Sequence, residues 1–363
     1  MAQRPVAKPK TRSRKDGSAV PLDDLDRELL NLMQGKFPIA PRPYQAVAEA
    51  AGVTEDEVLT RVERLIKERI IRQVTPIFDT RALGFESMLV AAKVDAENPH
   101  RAAKVINAHP GVTHNYLRDN EFNMWFTIAT TPDSKLGLQG TLDVLAEQAG
   151  ATSVRALPTL NLFKIRMDLE MKGGTEALST PQAEAVKPVE VHAVDYDDFD
   201  IAVIKALQGD MPVIPEPYAP AAAEVGVSQE KFLEHLEGMQ ERGLLRRVAA
   251  ILFHRRAGFS ANGMGVWKVP QDQVLEIGGR MAAYRGISHC YERPTYADWP
   301  YALFTMAHGR SKEECDAILE AIAEDTGIHE RSVLYSSTEF KKIRMQYFTG
   351  EFEQWEAEHS SGL

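Results

Sequence analysis

The chain has 363 residues, 44% of them hydrophobic, with 42 Lys and Arg against 52 Asp and Glu, giving a formal charge of -10. That is enough chain for two or more domains with their own cores, and its charge opposes non-specific attraction to nucleic acid, which draws on clustered cations. No apolar run approaches the roughly 20 residues that cross a bilayer, no apolar signal core follows the N-terminal charges, and Cys290 and Cys315 suit neither a zinc site nor a disulfide framework; the expectation is a cytoplasmic protein with two free thiols.

Residues 1-21 hold Arg4, Lys8, Lys10, Arg12, Arg14 and Lys15 without apolar periodicity, which predicts a disordered basic tail, either an anion-binding arm or a solvated terminus. Leu22, Leu25, Leu29, Leu30 and Met33 then recur at helical spacing behind Asp residues suited to a helix start. Tyr44 to Gly52 reads as a short helix ended by glycine, and Thr54-Glu-Asp-Glu57 opens another with a capping box. With the β-rich run Ile70 to Phe78 as a wing, residues 22-80 read as a winged helix-turn-helix. Residues 81-170 follow as strand (Ser87 to Val94), helix (Arg101 to His109), strand (Val112 to Arg118), strand (Asn123 to Ala129), helix (Leu136 to Gln148) and a β-rich stretch (Val154 to Met167). That βαββαβ order is ferredoxin-like.

The chain then repeats itself. Sliding it by 174 residues lays Asp24, Asp26, Gly35, Tyr44, Gly52, Gly84 and Phe85 on Asp198, Asp200, Gly209, Tyr218, Gly226, Gly258 and Phe259. One further residue aligns His114, Tyr116 and Arg118 with His289, Tyr291 and Arg293, and three more bring Phe126 and Thr127 onto Phe304 and Thr305, and Lys164 to Met167 onto Lys342 to Met345. The expected organisation is therefore a linker at 171-195, a second winged helix-turn-helix at 196-254 and a second ferredoxin-like domain at 255-350. This α+β tandem resembles the Lrp/AsnC regulators, in which two such domains pair through their sheets. A covalent second copy would make one chain a pseudo-dimer.

The third helix of each helix-turn-helix starts acidic: Glu55, Asp56 and Glu57 in one, Glu230, Glu234, Glu237 and Glu241 in the other against Lys231. A helix that enters the major groove presents cations or amides there, so a ligand site is expected rather than DNA binding. His114, Tyr116 and Arg118 project from one face of a strand, as do His289, Tyr291 and Arg293. An imidazole, a phenol and a guanidinium on one face point to a ligand, although a satisfied polar network between repeats gives the same pattern. Counting outward from the loop Pro294 to Pro300 places His289 beside His308, where the first copy is read as holding Thr130. The candidates for proton transfer are His289, His308 and His114. Arg118 and Arg293 are expected to hold carboxylates bidentately, Arg72 and Arg246 to add cations from the wings, and Trp299, Tyr301, Tyr296 and Trp125 to line a flat apolar surface unless they are core. Lys164, Arg166, Lys341, Lys342 and Arg344 read as a solvated basic edge.

His-Asn-Tyr-Leu-Arg with Phe-Asn-Met-Trp-Phe-Thr in one copy, and His-Cys-Tyr-Glu-Arg-Pro-Thr-Tyr-Ala-Asp-Trp-Pro-Tyr-Ala-Leu-Phe-Thr-Met in the other, resemble the siroheme decarboxylases. The likeness is greatest to the fused NirD-NirL type linked to haem d1 formation, whose Ahb relatives act in the siroheme-dependent route to haem b. It covers both repeats and leaves out the tail and linker. It implies conversion of siroheme to 12,18-didecarboxysiroheme by loss of two acetate carboxyl groups, with His289, His308 or His114 as proton donor and Tyr116 and Tyr291 as orienting groups. Siroheme and its product are the implied partners, with a sister decarboxylase or a second copy of the chain possible, and with neither DNA nor membrane. The substrate brings its own iron, so no separate cofactor or metal is required. A transcription regulator or a tetrapyrrole carrier are the alternative functions.

Overall fold

The computed structural model describes residues 22-165, 179-181, 187-188, 193-253 and 261-359. The basic tail and Arg166 lie outside them. In the first helix-turn-helix, α1 (Asp24–Gly35) starts at a reciprocal capping box between Asp23 and Asp26, α2 (Pro43–Ala51) stops at Gly52 in the left-handed region (φ 70°), and α3 (Glu55–Lys67) is capped by the Thr54 hydroxyl. The second repeats these devices in α6 (Asp198–Leu207), with its Asp197 and Asp200 capping box, α7 (Ala219–Glu224) and α8 (Gln229–Glu241) capped by Ser228.

Each unit buries the apolar stripe of its three helices, and the two stripes meet in one continuous core. The wing strands β1 (Ile71–Phe78) and β7 (Leu245–Leu252) pair antiparallel with each other across the repeats. Each wing strand thus finds its partner in the other repeat, and the two form one shared two-stranded ribbon.

The first ferredoxin-like unit contains β2 (Glu86–Lys93), α4 (Pro99–Ala108), β3 (His114–Arg118), β4 (Met124–Thr130), α5 (Gly137–Ala149) and β5 (Ser153–Pro158). Pro158, which has no N–H to continue a ladder, ends β5, and after Thr159 and Leu160 the chain resumes as β6 (Asn161–Ile165). The second unit contains β8 (Ala261–Trp267), α9 (Val274–Ala282), β9 (Ile287–Glu292), β10 (Leu303–Gly309), α10 (Lys312–Thr326) and β11 (Arg331–Lys342).

These strands form a nine-stranded sheet in the order β5-β2-β4-β3-β11-β8-β10-β9-β6. Each repeat's last strand begins in its own sheet and finishes on the other repeat's edge. Residues 331-335 of β11 pair with β8, and residues 336-342 with β3; β5 pairs with β2, and β6 with β9. Because β5 and β6 are consecutive in the chain, the curled sheet closes on itself. Alternation gives its strands two apolar faces. Val90, Phe126 and Ile128 pack under α4 and α5, and Leu303, Ala307 and Cys290 under α9 and α10. Ala91, Trp125, Phe304 and Leu334 face inward between the repeats. A last helix, α11 (Glu351–His359), was not expected from the sequence; Phe352 and Trp355 anchor it against the first repeat, and Glu356 accepts hydrogen bonds from Ser134 and from the amides of Lys135 and Leu136 at the start of α5.

Candidate active site

In the second repeat, β9 pairs with β10 so that His289 faces Met306, but Ile287 faces Ala307. Ser288 is the extra residue of a β-bulge, which turns its hydroxyl toward the same side as its neighbour. Its Oγ lies 2.6 Å from His289 Nδ1, 2.7 Å from His308 Nε2 and 3.4 Å from the Met306 carbonyl. The expected proximity of His289 and His308 is therefore present, and a serine between them makes it. His308 is buried, and on the outer side of β9 the residue opposite His289 is Ile165.

The first repeat builds the same turn with different chemistry. Thr113 Oγ1 sits 3.0 Å from His114 Nδ1 and 2.9 Å from Thr127 Oγ1. Across the other ladder His114 faces Lys342, and Arg72 reaches over from β1 to within 3.5 Å of the Lys342 carbonyl. Burial first, then the Lys342 and Arg72 charges, pull the His114 pKa down to about 4, so this imidazole is neutral at pH 7.

Two sequence alignments shift by one residue in space. The Ala129 amide donates to Gly111, and the His308 amide to Gly286, each glycine three residues ahead of its motif histidine. Ala129, not Thr130, is the counterpart of His308, and Phe126 faces the helices while Phe304 faces inward. Likewise Lys341 donates to the His109 carbonyl as Lys164 donates to that of Tyr284, at corresponding turns. Lys341 is thus the counterpart of Lys164, and Lys342 takes the place opposite His114 that Ile165 takes opposite His289. Sequence identity matched the letters; the ladder fixes the places.

The motif arginines are not the open carboxylate forks expected of them. Arg118 is 7% and Arg293 8% exposed, inside the curled sheet. Arg118 donates to the Leu334 carbonyl at 2.5 Å, and Arg293 to that of Leu157, so each stitches its motif strand to the other repeat. Desolvation pulls both guanidinium pKa values down to about 10. Each Nε is buried without a partner in the structure, leaving one donor per arginine unsatisfied. Each guanidinium lies over its motif phenol, 5.8 Å from the Tyr116 ring and 4.7 Å from the Tyr291 ring. Burial raises the Tyr291 pKa against the opposing charges of Arg293, Arg246 and Arg81.

The wing cations differ. Arg246 is held at 2.7 Å by Asp79 across the shared ribbon, whereas Arg72 makes its hydrogen bond to a carbonyl. Trp299 and Trp125 are buried. Their rings lie 5.2 Å apart within a cluster that includes Phe122, 5.6 Å from Trp299, and Tyr301, 4.9 Å from it. Apolar rings at the junction of two sheets exclude water by packing on each other. The loop that carries Trp299 is pinned to the first repeat by Tyr296, which donates to the Ala156 carbonyl at 2.6 Å, and by a bidentate Arg155–Asp298 pair at 2.9 and 2.6 Å.

Ser288, Thr113, Lys342 and Arg81 are the neighbours that sequence reasoning missed or set aside. A hydroxyl directly before the histidine in both copies was the available signal for the first two. Among the described residues no group of three or more His, Cys, Asp or Glu is placed to hold a metal ion, and no helix is long and apolar enough to cross a membrane. On the first helix-turn-helix, Arg61 and Arg64 are tied to Asp26, and Arg61 also to Asp23 and Glu57; on the second, Arg242 and His235 are tied to Asp200.

The family model of an AsnC-like ligand binding domain matches residues 82–164 and 256–341, and that of a siroheme decarboxylase NirDL-like HTH domain matches 26–72 and 200–246. A siroheme decarboxylase of Hydrogenobacter thermophilus is 36% identical over 90% of this chain and 96% of its own. The siroheme decarboxylase beta subunit of Methanosarcina barkeri is 40% identical over 40% of this chain and 96% of its own length. A crystal structure of the siroheme decarboxylase NirDL in complex with an iron-uroporphyrin III analogue is 32% identical, covers 93% of this chain and 99% of its own, and has a TM-score of 0.71. With both halves of its architecture matched and such similarity over nearly its whole length, this chain belongs to the siroheme decarboxylase family.

Proposed function

We infer that this protein decarboxylates siroheme, removing two acetate carboxyl groups as carbon dioxide to give 12,18-didecarboxysiroheme on the route to haem d1. The observation that carries the reading is the His289–Ser288–His308 constellation beside the inter-repeat ladder, in a chain that matches a siroheme decarboxylase over 90% of its length. In each decarboxylation the bond between the methylene carbon and the carboxylate breaks, carbon dioxide leaves, and the electron pair left behind takes a proton. A positioned imidazole supplies that proton. His289 engages Ser288 through Nδ1, so its Nε2 is the nitrogen that serves the substrate.

The substrate is a polyanion, and the motif strands are overlooked by Arg72, Arg81, Arg246 and Lys342. Of these, Arg246 is already held by Asp79, so Arg72, Arg81 and Lys342, rather than whole Arg118 and Arg293 forks, meet its carboxylates; the two buried Nε donors add directional contacts where a carboxylate reaches them. The iron arrives with the substrate, and the chemistry calls for no further cofactor. Cytoplasmic residence and independence from DNA belong to the same reading, the latter supported by the internal pairing of Arg61, Arg64 and Arg242. Partners are siroheme and its product.

Anaerobic incubation of the purified chain with siroheme, followed by mass spectrometry of the extracted tetrapyrrole, should show loss of two carbon dioxide units. Recovery of unchanged siroheme from a chain that binds it would leave a carrier instead.

A further inference from the structure

We propose that Ser288 is a positioning residue that couples His289 and His308 into one proton relay, a role that rests on the decarboxylase reading above. Ser288 Oγ lies within hydrogen-bond distance of two imidazole nitrogens, at 2.6 and 2.7 Å, but a hydroxyl has a single proton to give. It donates to one ring and accepts from the other, so the protonation of His289 Nδ1 and of His308 Nε2 is complementary. The bulge makes this possible. In a regular strand Ser288 would point away from His289; as the extra residue between the Met306–His289 and Ala307–Ile287 pairs it stands between both rings.

The relay balances for a turnover in which His308 has first taken up a proton from solvent. His289 Nε2 passes its proton to the carbon that loses carbon dioxide, the Ser288 hydroxyl proton moves to His289 Nδ1, and the His308 Nε2 proton moves to Ser288 Oγ. His308 ends neutral, His289 ends neutral in its other tautomer, and the net change is one proton delivered from His308 to substrate. Two decarboxylations need two protons, so a buried reservoir that is reloaded between them suits the double reaction. The first repeat lacks the far end of this device: Thr113 bonds His114 and Thr127, and the place of His308 is taken by Ala129.

Ser288→Ala in the full chain removes the coupling, and Ser288→Thr keeps a hydroxyl in the geometry that Thr113 already adopts. The relay predicts that kcat of Ser288→Ala falls by about 10- to 100-fold while siroheme affinity, followed by absorbance titration, stays within about twofold, and that Ser288→Thr recovers most of the rate. A proton inventory in mixed light and heavy water should be curved for the parent chain and linear for Ser288→Ala. Retained turnover in Ser288→Ala, a loss explained by weaker binding, or a Ser288→Thr variant as slow as the alanine would overturn the proposal. Nitrogen NMR of labelled histidines reads the coupling without turnover: the His289 and His308 tautomer signals should both move in Ser288→Ala, and unmoved signals also overturn it. Absence of decarboxylation by the parent chain counts against the function itself and leaves the NMR outcome intact.

Discussion

At the scale of residues, His114 and His289 hold equivalent places yet differ in what opposes them, Lys342 in one case and Ile165 in the other. Burial and the Lys342 and Arg72 charges hold the His114 pKa at about 4, and we propose His289 rather than His114 as the principal acid. His289→Ala should therefore lower single-turnover decarboxylation by about 10²- to 10⁴-fold with little change in tetrapyrrole affinity. His114→Ala should cost far less in rate, and equal losses would refute the division of labour between the two sites. The repeated His-x-Tyr-x-Arg triplets were readable in the sequence because a two-residue period is independent of tertiary structure. The bulge at Ser288 was not, since an extra residue shows only against the partner strand. Nor was the fate of Arg118 and Arg293: the carbonyls that hold them lie in the other repeat, more than a hundred residues away in the chain.

The element that governs the first repeat's outer layer is α11. Trp355 sits edge-on at 4.5 Å from the His109 ring, and His109 Nδ1 accepts the Gly111 amide hydrogen at 3.0 Å, a bond available only to the neutral imidazole. Burial, reinforced by the Lys341 charge, lowers the His109 pKa to about 3 from an ordinary 6.5. As pH falls the unfolded chain binds this proton first. The stability contributed by the neutral ring is whole above pH 6.5 and is lost as pH drops toward 3, at ~1.4 kcal/mol per pH unit. Urea unfolding between pH 7 and 4 should show that decline, shallower by about the same slope in His109→Gln. Trp355→Ala should lower stability by ~3 kcal/mol, and unfolding midpoints identical to the parent would mean that α11 is ornamental. Helix starts were legible here because Thr54, Ser228 and the paired aspartates are local signals. The short α11 was missed because its anchors, Phe352 and Trp355, are only three residues apart and gain meaning from the groove they fill.

At the scale of the molecule, neither half is complete. β1 has its partner in β7, β3 in β11 and β9 in β6, and one core runs through both helix-turn-helix units. A chain cut within 171-193 and expressed as its first half alone should self-associate or stay unfolded, because bare strand edges seek a ladder. Adding the second half should restore a one-to-one particle in size-exclusion chromatography with light scattering; a monomeric, cooperatively folding first half would contradict this. Repeat, class and ferredoxin-like order were all legible, since each follows from identity or period. The exchange of last strands was not, because β6 and the end of β11 carry the same pattern whichever edge receives them. Covalent pairing also changes what a mutation can do. In a dimer of identical subunits every altered residue is imposed on both related sites at once, so a change that helps one role and harms another is trapped. Here each alteration is felt once, so a lysine at 342 recasts the surroundings of His114 while His289 keeps Ile165 opposite it.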